Sequence, residues 1–305
     1  MILCCGESLI DMVPEGDAFR PLPGGAVFNT AIALGRLGAQ AGYLWPLSRD
    51  RFGQRLAQAL DDARVGRELC PATDRPTTLA FVHLSDTGEA QYSFYDEGSA
   101  GRMFEPAALP ALPEGLEALF IGGISLTQEP CGTAVEELAL RAAQAGITVM
   151  IDPNIRPAFI NHEAETRARI GRLLRLASIV KLSDDDRAWL FPGQDADELA
   201  AQMDDSGVRL LLLTGGAQGA TAICGAHRHH HPAPEVELAD TIGAGDTFNA
   251  GLLAALAAQG ALSPDRLAAL DETGLQAALD LASRAAAVTV SRAGANPPWA
   301  HELGL

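Results

Sequence analysis

Lysine is almost absent: of the 22 lysine and arginine side chains in this 305-residue chain, Lys181 is the sole lysine. The commonest phosphate-binding loop, G-x-x-x-x-G-K-[ST], therefore cannot be built. No G-x-G-x-x-G follows a predicted strand either, which removes the dinucleotide fingerprint. Basic charge as a whole is scarce, with 39 acidic side chains and a formal charge of −17. Such a surface repels phosphate backbones and anionic bilayers, so neither nucleic acid nor membrane is expected as a partner. Cysteine is sparse: Cys4, Cys5, Cys70, Cys131 and Cys224 form no C-x-x-C pair and read as reduced, mostly buried apolar residues. No apolar run is long enough to span a bilayer, and no basic segment followed by a long apolar one opens the chain, so a cytoplasmic protein is expected. Linkers, repeats and low-complexity tracts are missing too, and a single α/β domain over residues 1–305 is the default organisation.

What is present alternates. A first core strand over residues 2–5 leads to an extended piece near Asp11 to Val13 that breaks at Pro14, and Pro21, Pro23, Gly24 and Gly25 read as a turn. The stripe Val27, Ala31, Leu34 then predicts a helix ending at Gly38, followed by a strand over Ala41 to Leu44 and a helix from Asp50 to about Asp62. Between Thr77 and Tyr95 the rhythm becomes two-residue alternation around Asp86-Thr87-Gly88, a hairpin signal. This hairpin and the segment from Asp11 onwards are expected to form a small sheet that covers a site as a lid, built from about residues 11–23 and 76–100. From Leu119 strands and helices alternate again, and the runs T-V-M-I, S-I-V-K-L and V-R-L-L-L-L have the all-apolar character of parallel strands buried on both faces. A three-layer α/β/α sandwich with a mostly parallel central sheet follows. Ligands of such sheets collect at the carboxyl ends of the strands, so the loops after Ile151, Leu182, Leu213 and Asp240 are expected to line one cleft.

Those loops hold Asp152-Pro153-Asn154-Ile155-Arg156, Ser183 to Asp186, Thr214-Gly215-Gly216 with Gly219, and Asp240 to Gly251. The last stretch, D-T-I-G-A-G-D-T-F-N-A-G, joins a glycine turn, a carboxylate and the start of an amphipathic helix marked by Phe248, Leu252 and Leu256. The N–H groups of Gly243, Ala244, Gly245 and Asp246 can converge on an anion, and Asp246 in the first turn can take a proton from a hydroxyl beside it. The bare string serves equally as a tight connection with a capping aspartate. His227, His229, His230 and His231 lie in an extended loop without a carboxylate or cysteine spaced to close a metal site, and read as inert.

Two longer strings lift the ambiguity. D-T-x-G-A-G-D-x-F-x-x-G over residues 240–251 and G-G-A-x-x-N-x-A over residues 24–31 together resemble the signatures of the ribokinase-like (PfkB) carbohydrate and nucleoside kinases, in order and across essentially the whole chain. The resemblance implies an ATP-dependent sugar kinase. It makes Asp246 the catalytic base, with Gly243, Ala244 and Gly245 as the anion hole. Gly24, Gly25, Asn29 and the lid residue Asp11 would grip sugar hydroxyls, and Arg156 would lie near substrate and phosphates. Thr214, Gly216 and Gly219 would contact ATP, with Lys181 and Ser183 close to its phosphates. The family's N-x-x-E element, linked to Mg²⁺, here reads Ser183-Asp184-Asp185-Asp186, which leaves Asp186 as the magnesium candidate. The carbonyls of Asp240 and Ile242 would serve a monovalent cation such as K⁺.

G-E-S-L-I-D, Y-S-F-Y and D-P-N-I-R-P most resemble fructokinases, and the lid carries acids rather than the basic residues a sugar phosphate would want. Fructose is the expected substrate. The alternatives are 2-keto-3-deoxygluconate kinase, with Arg102 or Arg156 as the clamp for an acid sugar, ribokinase, a nucleoside kinase, or a sugar-binding regulator without turnover. A homodimer through the lid is expected from some relatives.

Overall fold

The computed structural model describes residues 1–84 and 90–305. Continuous apolar runs go to its middle, as burial on two faces requires. Strands β1 (Ile2–Cys5), β2 (Leu9–Glu15) and β3 (Ala18–Gly24) precede helix α1 (Ala26–Arg36). Then come β4 (Ala41–Leu44), β5 (Leu47–Ser48), α2 (Arg51–Asp62), β6 (Ala72–Thr73), β7 (Leu79–Leu84) and β8 (Ala90–Tyr95). The next stretch holds β9 (Ala118–Gly122), α3 (Cys131–Gln144), β10 (Thr148–Asp152), α4 (Glu163–Leu174), β11 (Ile179–Ser183), α5 (Asp184–Leu190), α6 (Ala196–Asp205) and β12 (Leu210–Thr214). The chain finishes through β13 (Ala220–Cys224), β14 (His227–His231), α7 (Ala244–Ala258), α8 (Pro264–Ala268) and α9 (Glu272–Val290).

The large sheet has the order β14-β13-β12-β11-β10-β9-β1-β4, parallel from β12 to β4, with β13 and β14 antiparallel at one edge. Val149, Met150 and Ile151 of β10 are all fully buried, which requires cover on both faces. Helix α3 packs on β9 and β10, while α7 packs between α1 and α9. This is the mostly parallel sandwich that the apolar runs predict. Strand order reverses between β1 and β9, because the chain steps from β1 to β4 on one side and from β9 to β12 on the other. The crevice beyond the strand ends opens at such a reversal.

A separate four-stranded sheet, β3-β2-β7-β8, carries the antiparallel pair β7–β8 where the hairpin is expected. It differs from expectation where proline was read as a breaker. Pro14 lies within β2, and Pro21 and Pro23 within β3 rather than in a turn. Both placements satisfy the missing N–H: β3 is an edge strand, and β2 pairs with β7 only over Ile10–Met12, short of Pro14. The hairpin's turn at residues 86–88 lies outside the described residues. The histidine run also differs, since it is the edge strand β14 rather than a loop, pairing His230 with Thr221 and His227 with Cys224. Thr221 Oγ1 lies 3.0 Å from His230 Nδ1. Among the described residues no cluster of three or more His, Cys, Asp or Glu side chains is arranged to hold a metal, and no helix is long and apolar enough to cross a membrane.

The helix that opens with the G-A-G-D string is held from behind by close approach. A Cβ on Gly251 of α7 would lie 2.7 Å from Ala282 Cα on α9, and buried Thr289 donates to Thr247 Oγ1 at 3.0 Å. Gly251→Leu is therefore expected to destabilise the protein by about 1–3 kcal/mol or more through overpacking. Urea denaturation checks this; an unchanged midpoint would show that α9 does not hold α7 in place.

Candidate active site

The two glycine-rich stretches meet at Asp246, through two hydrogen bonds. Gly25 precedes α1, and Asn29, one turn into that helix, donates from Nδ2 to Asp246 Oδ2 at 2.9 Å, joining positions 217 residues apart. Thr30 donates to the Asp246 carbonyl at 3.2 Å. Gly25 has φ of 112°, and a Cβ there would sit 2.5 Å from the Glu7 carbonyl oxygen, so only glycine fits. A Cβ on Gly24 would fall 2.1 Å from Asp11 Oδ2, which places the Asp11 carboxylate of β2 flat against this loop. Asp11, Gly24, Gly25, Asn29 and Asp246 thus form one contiguous set.

Burial tunes the acids in it. Asp246 is 8% exposed, and loss of water pushes its pKa up to about 7, against the lowering effect of the Asn29 hydrogen bond. Burial alone lifts Asp11 to about 6. A carboxyl near neutrality both accepts and releases a proton at physiological pH, which is what a general base needs.

Beside Asp246 the backbone offers donors. Gly243 is left-handed, with φ of 78°, and no side chain caps the start of α7. The N–H groups of Gly243, Gly245 and Asp246 meet no acceptor among the described residues, whereas Ala244 gives its N–H to the Thr241 carbonyl at 3.3 Å. The four amides expected to converge are thereby three, at the positive end of a helix dipole.

Under this cradle lies a buried ion pair. Lys181 Nζ is 2.9 Å from Asp152 Oδ2, which also accepts from Asn249 Nδ2 at 2.7 Å. A Cβ on Gly245 would stand 3.4 Å from Lys181 Nζ, so the ammonium backs directly onto the cradle. Burial lowers the lysine's pKa, but the Asp152 and Asp186 carboxylates outweigh it and hold the group charged. Asp152 Oδ1 and Asn249 Oδ1 are buried without a donor among the described residues.

The other predicted residues divide. Ser183 and Thr214 are register partners at the ends of β11 and β12. Gly216 and Gly219 take positive φ in the short turn after β12, and a Cβ on Gly219 would meet the His231 carbonyl at 2.2 Å. Asp186 is 1% exposed, and its oxygens accept from Ile155 N at 2.7 Å, Ser183 N at 2.9 Å and Ser183 Oγ at 2.6 Å. It caps α5 and ties down the loop after β10, so it does not fit a direct magnesium ligand. Asp240 accepts from Ile242 N at 3.0 Å and Gly294 N at 2.8 Å, drawing the loop after α9 against the turn before α7. Arg156 is exposed and, among the described residues, donates to its neighbour's carbonyl, Ile155 O, at 3.2 Å. Arg102 is bound to Asp96 at 2.9 Å and to the Glu129 carbonyl at 2.6 Å.

Sequence reasoning passed over two groups here. Asn249 stands in the quoted F-N-A-G string with no role attached, and Glu7, in G-E-S-L-I-D, is a buried acid touching both α1 and the loop after β9. An acid between glycine and serine at a strand's end was the available signal.

A family model described as pfkB family carbohydrate kinase matches residues 1–302. The chain belongs to that family. The kinase is 44% identical over 281 residues to a fructokinase of Rhizobium leguminosarum bv. trifolii, covering 90% of this chain and 86% of that protein. Among solved structures it resembles the fructokinase with bound ATP from Xylella fastidiosa, with a TM-score of 0.89 and 30% identity over 96% of this chain and 93% of that one. A double-mutant fructokinase from Vibrio cholerae O395 in a form with fructose, ADP and potassium ion bound gives a TM-score of 0.85 and 26% identity, again over 96% and 93%.

The raised Asp246 has a measurable thermodynamic sign. The folded state holds this proton up to about pH 7 while the unfolded chain releases it near the ordinary carboxyl value of 3.8, so stability falls as pH rises between those values and stays reduced above. Asp246→Asn removes the buried charge and keeps the Asn29 contact. The kinase carrying it is expected to melt higher than wild type near pH 8, with the difference vanishing toward pH 5. A lower melting temperature at pH 8 would show that Asp246 is ionised there without cost.

Proposed function

We propose that this kinase transfers the γ-phosphate of ATP to a terminal hydroxyl of fructose, with Asp246 as the base. The observation that carries the reading is the placement of that carboxyl: desolvated, poised near neutrality and beside three unfilled backbone amides, with Asp11 and Asn29 at the same opening. The sugar hydroxyl oxygen attacks the γ-phosphorus in line, its proton passes to Asp246, and the bond to the β-phosphate oxygen breaks to release ADP. Phosphoryl transfer asks for positioning and charge neutralisation more than covalent chemistry. The amides of Gly243, Gly245 and Asp246 stabilise the charge on the transferring group, and Lys181 adds to the field from behind Gly245 without reaching the ligand.

The substrate class follows from the cations. Arg102 is already bound by Asp96 and the Glu129 carbonyl, and Arg156 donates to the carbonyl of its own neighbour Ile155, so neither of the two candidate clamps is held ready for a carboxylate or phosphate. With both candidate clamps so placed, a neutral polyol suits the two carboxyls and the amide, which favours fructose over an acid sugar. Thr214, Gly216, Gly219 and Ser183, at neighbouring strand ends, are assigned to ATP. Asp152, whose Oδ1 has no donor among the described residues, would hold a Mg²⁺ ion that neutralises the phosphates, while Asp186 holds the protein together. Asp240 and Ile242, with the loop pinned at Gly294, are assigned to K⁺.

The small sheet is read as the lid of one domain. Its outer face bears Phe19, Phe81 and Tyr95 in edge contact at 5.0 and 5.4 Å, with Phe19 41% and Tyr95 65% exposed. An aromatic face of this kind supports pairing with a second copy. The five free thiols fit a reducing cytoplasm.

ADP release on adding MgATP is expected to show the highest kcat/KM with fructose among fructose, ribose, 2-keto-3-deoxygluconate and nucleosides; a higher value for any other member of that panel overturns the substrate assignment. Asp246→Asn is expected to lose about 10²–10⁴ in kcat with little change in KM for either substrate. Near-normal turnover would remove Asp246 from the mechanism.

A further inference from the structure

The reaction leaves one buried acid without a task. Glu7 lies just past the carboxyl end of β1, at the reversal of strand order between β1 and β9, and is 5% exposed. Its Oε1 accepts from Ala26 N at 3.1 Å, the first amide of α1, and its Oε2 accepts from Ser125 N at 3.2 Å, beyond β9. Its own carbonyl takes the Phe28 N–H at 3.3 Å. The surroundings are shaped to it, since a Cβ on Gly123 would fall 2.1 Å from Oε1.

Helix α1 needs such a partner. Its cap residue is Gly25, which offers no side chain, and no acid stands in its first turn. The orphan amides of the first turn must be satisfied from elsewhere, and a carboxylate at the positive helix end does so favourably. Asn29 N donates to the Gly25 carbonyl at 2.8 Å in that same turn. Any rotation of the turn therefore moves Asn29, and with it the hydrogen bond that orients Asp246.

We infer that Glu7 is a positioning residue for phosphoryl transfer: its ionised carboxylate clasps the first turn of α1 to the loop after β9 and so sets Asn29, and through Asn29 the carboxyl of Asp246, at the sugar hydroxyl. This rests on the roles proposed above for Asn29 and Asp246. Protonation weakens the clasp, because a neutral carboxyl accepts main-chain hydrogen bonds less strongly than a carboxylate. Burial lifts Glu7 to about 7 against the lowering effect of its main-chain donors. The titratable groups facing it are Cys5 on β1, Tyr43 on β4, Cys131 on α3 and Asp246 on α7. Burial pushes both thiols and the phenol upward, and Asp246 shares the range of Glu7.

The test is Glu7→Gln in the full chain, assayed by ADP release with fructose and MgATP. KM for fructose is expected to rise about tenfold, the cost of weakening a charge-assisted bond, with KM for ATP nearly unchanged. The acid limb of kcat/KM is expected to lose one proton relative to wild type and to move slightly to lower pH, since burial and Asp152 still raise Asp246 but the smaller contribution of the Glu7 charge is gone. Glu7→Asp keeps the charge but not the reach; it should raise KM for fructose while retaining the wild-type proton count, and it answers the question if the Gln variant does not fold. A fructose KM and acid limb that stay at wild-type values in the folded variants overturn the inference. Failure of the underlying reading looks different: in that case Asp246→Asn itself turns over normally, whatever Glu7 does.

Discussion

Everything in this site depends on keeping a carboxyl dry without leaving it unsupported. Asp246 loses its water to the packing of α1, α7 and α9, and burial alone would hold it protonated and inert. The Asn29 amide returns part of the lost solvation from a fixed direction. That hydrogen bond thus moderates the effect of burial on the acid and, with the bond from Thr30 to the Asp246 carbonyl, ties the starts of two helices together. It explains why two glycine-rich strings so far apart in the chain must both be present: each ends in a helix start, and neither start is useful without the other.

The sheet determines where this can happen. Reversal of strand order between β1 and β9 leaves a crevice; the turns after β1 and β9 supply Glu7 and Ser125 to it, and the last residues of β10 and β11 supply Asp152 and Ser183. Charge is layered there. Asp11 and Asp246 face the proposed sugar side, Glu7 is taken up by the amides of Ala26 and Ser125, and the Lys181 ammonium is buried beneath the amides on the proposed phosphate side. In a chain with so marked an acidic excess, the location of this one cation matters more than the total.

Much of this was legible in the sequence because it is local. The central strands announced themselves as unbroken apolar runs, and the glycine strings carried their own turn chemistry. What stayed hidden depends on distant partners. Pro21 and Pro23 looked like a turn because nothing local reveals that β3 is an edge strand, where a missing N–H faces no neighbour. His227 to His231 looked like a loop because the pairing with β13 is a tertiary fact. Asp186, one of three consecutive acids, looked like a metal ligand until its oxygens proved to be filled by Ile155 and Ser183. Lys181 looked like a phosphate reader, but Asp152 and Asn249 form its setting from two other elements.

That buried lysine also shapes how the molecule can be addressed chemically. Its side chain is 7% exposed and locked to a carboxylate, and no second lysine exists. The surface consequently presents its positive charge through arginine, whose guanidinium neither acylates nor forms isopeptide bonds under conditions that modify ε-amines. Acetylation, ubiquitin attachment and lysine-directed cross-linking have no side-chain foothold on the native fold. Reactivity of an internal amine toward such reagents would report that the core beneath the amide cradle has opened.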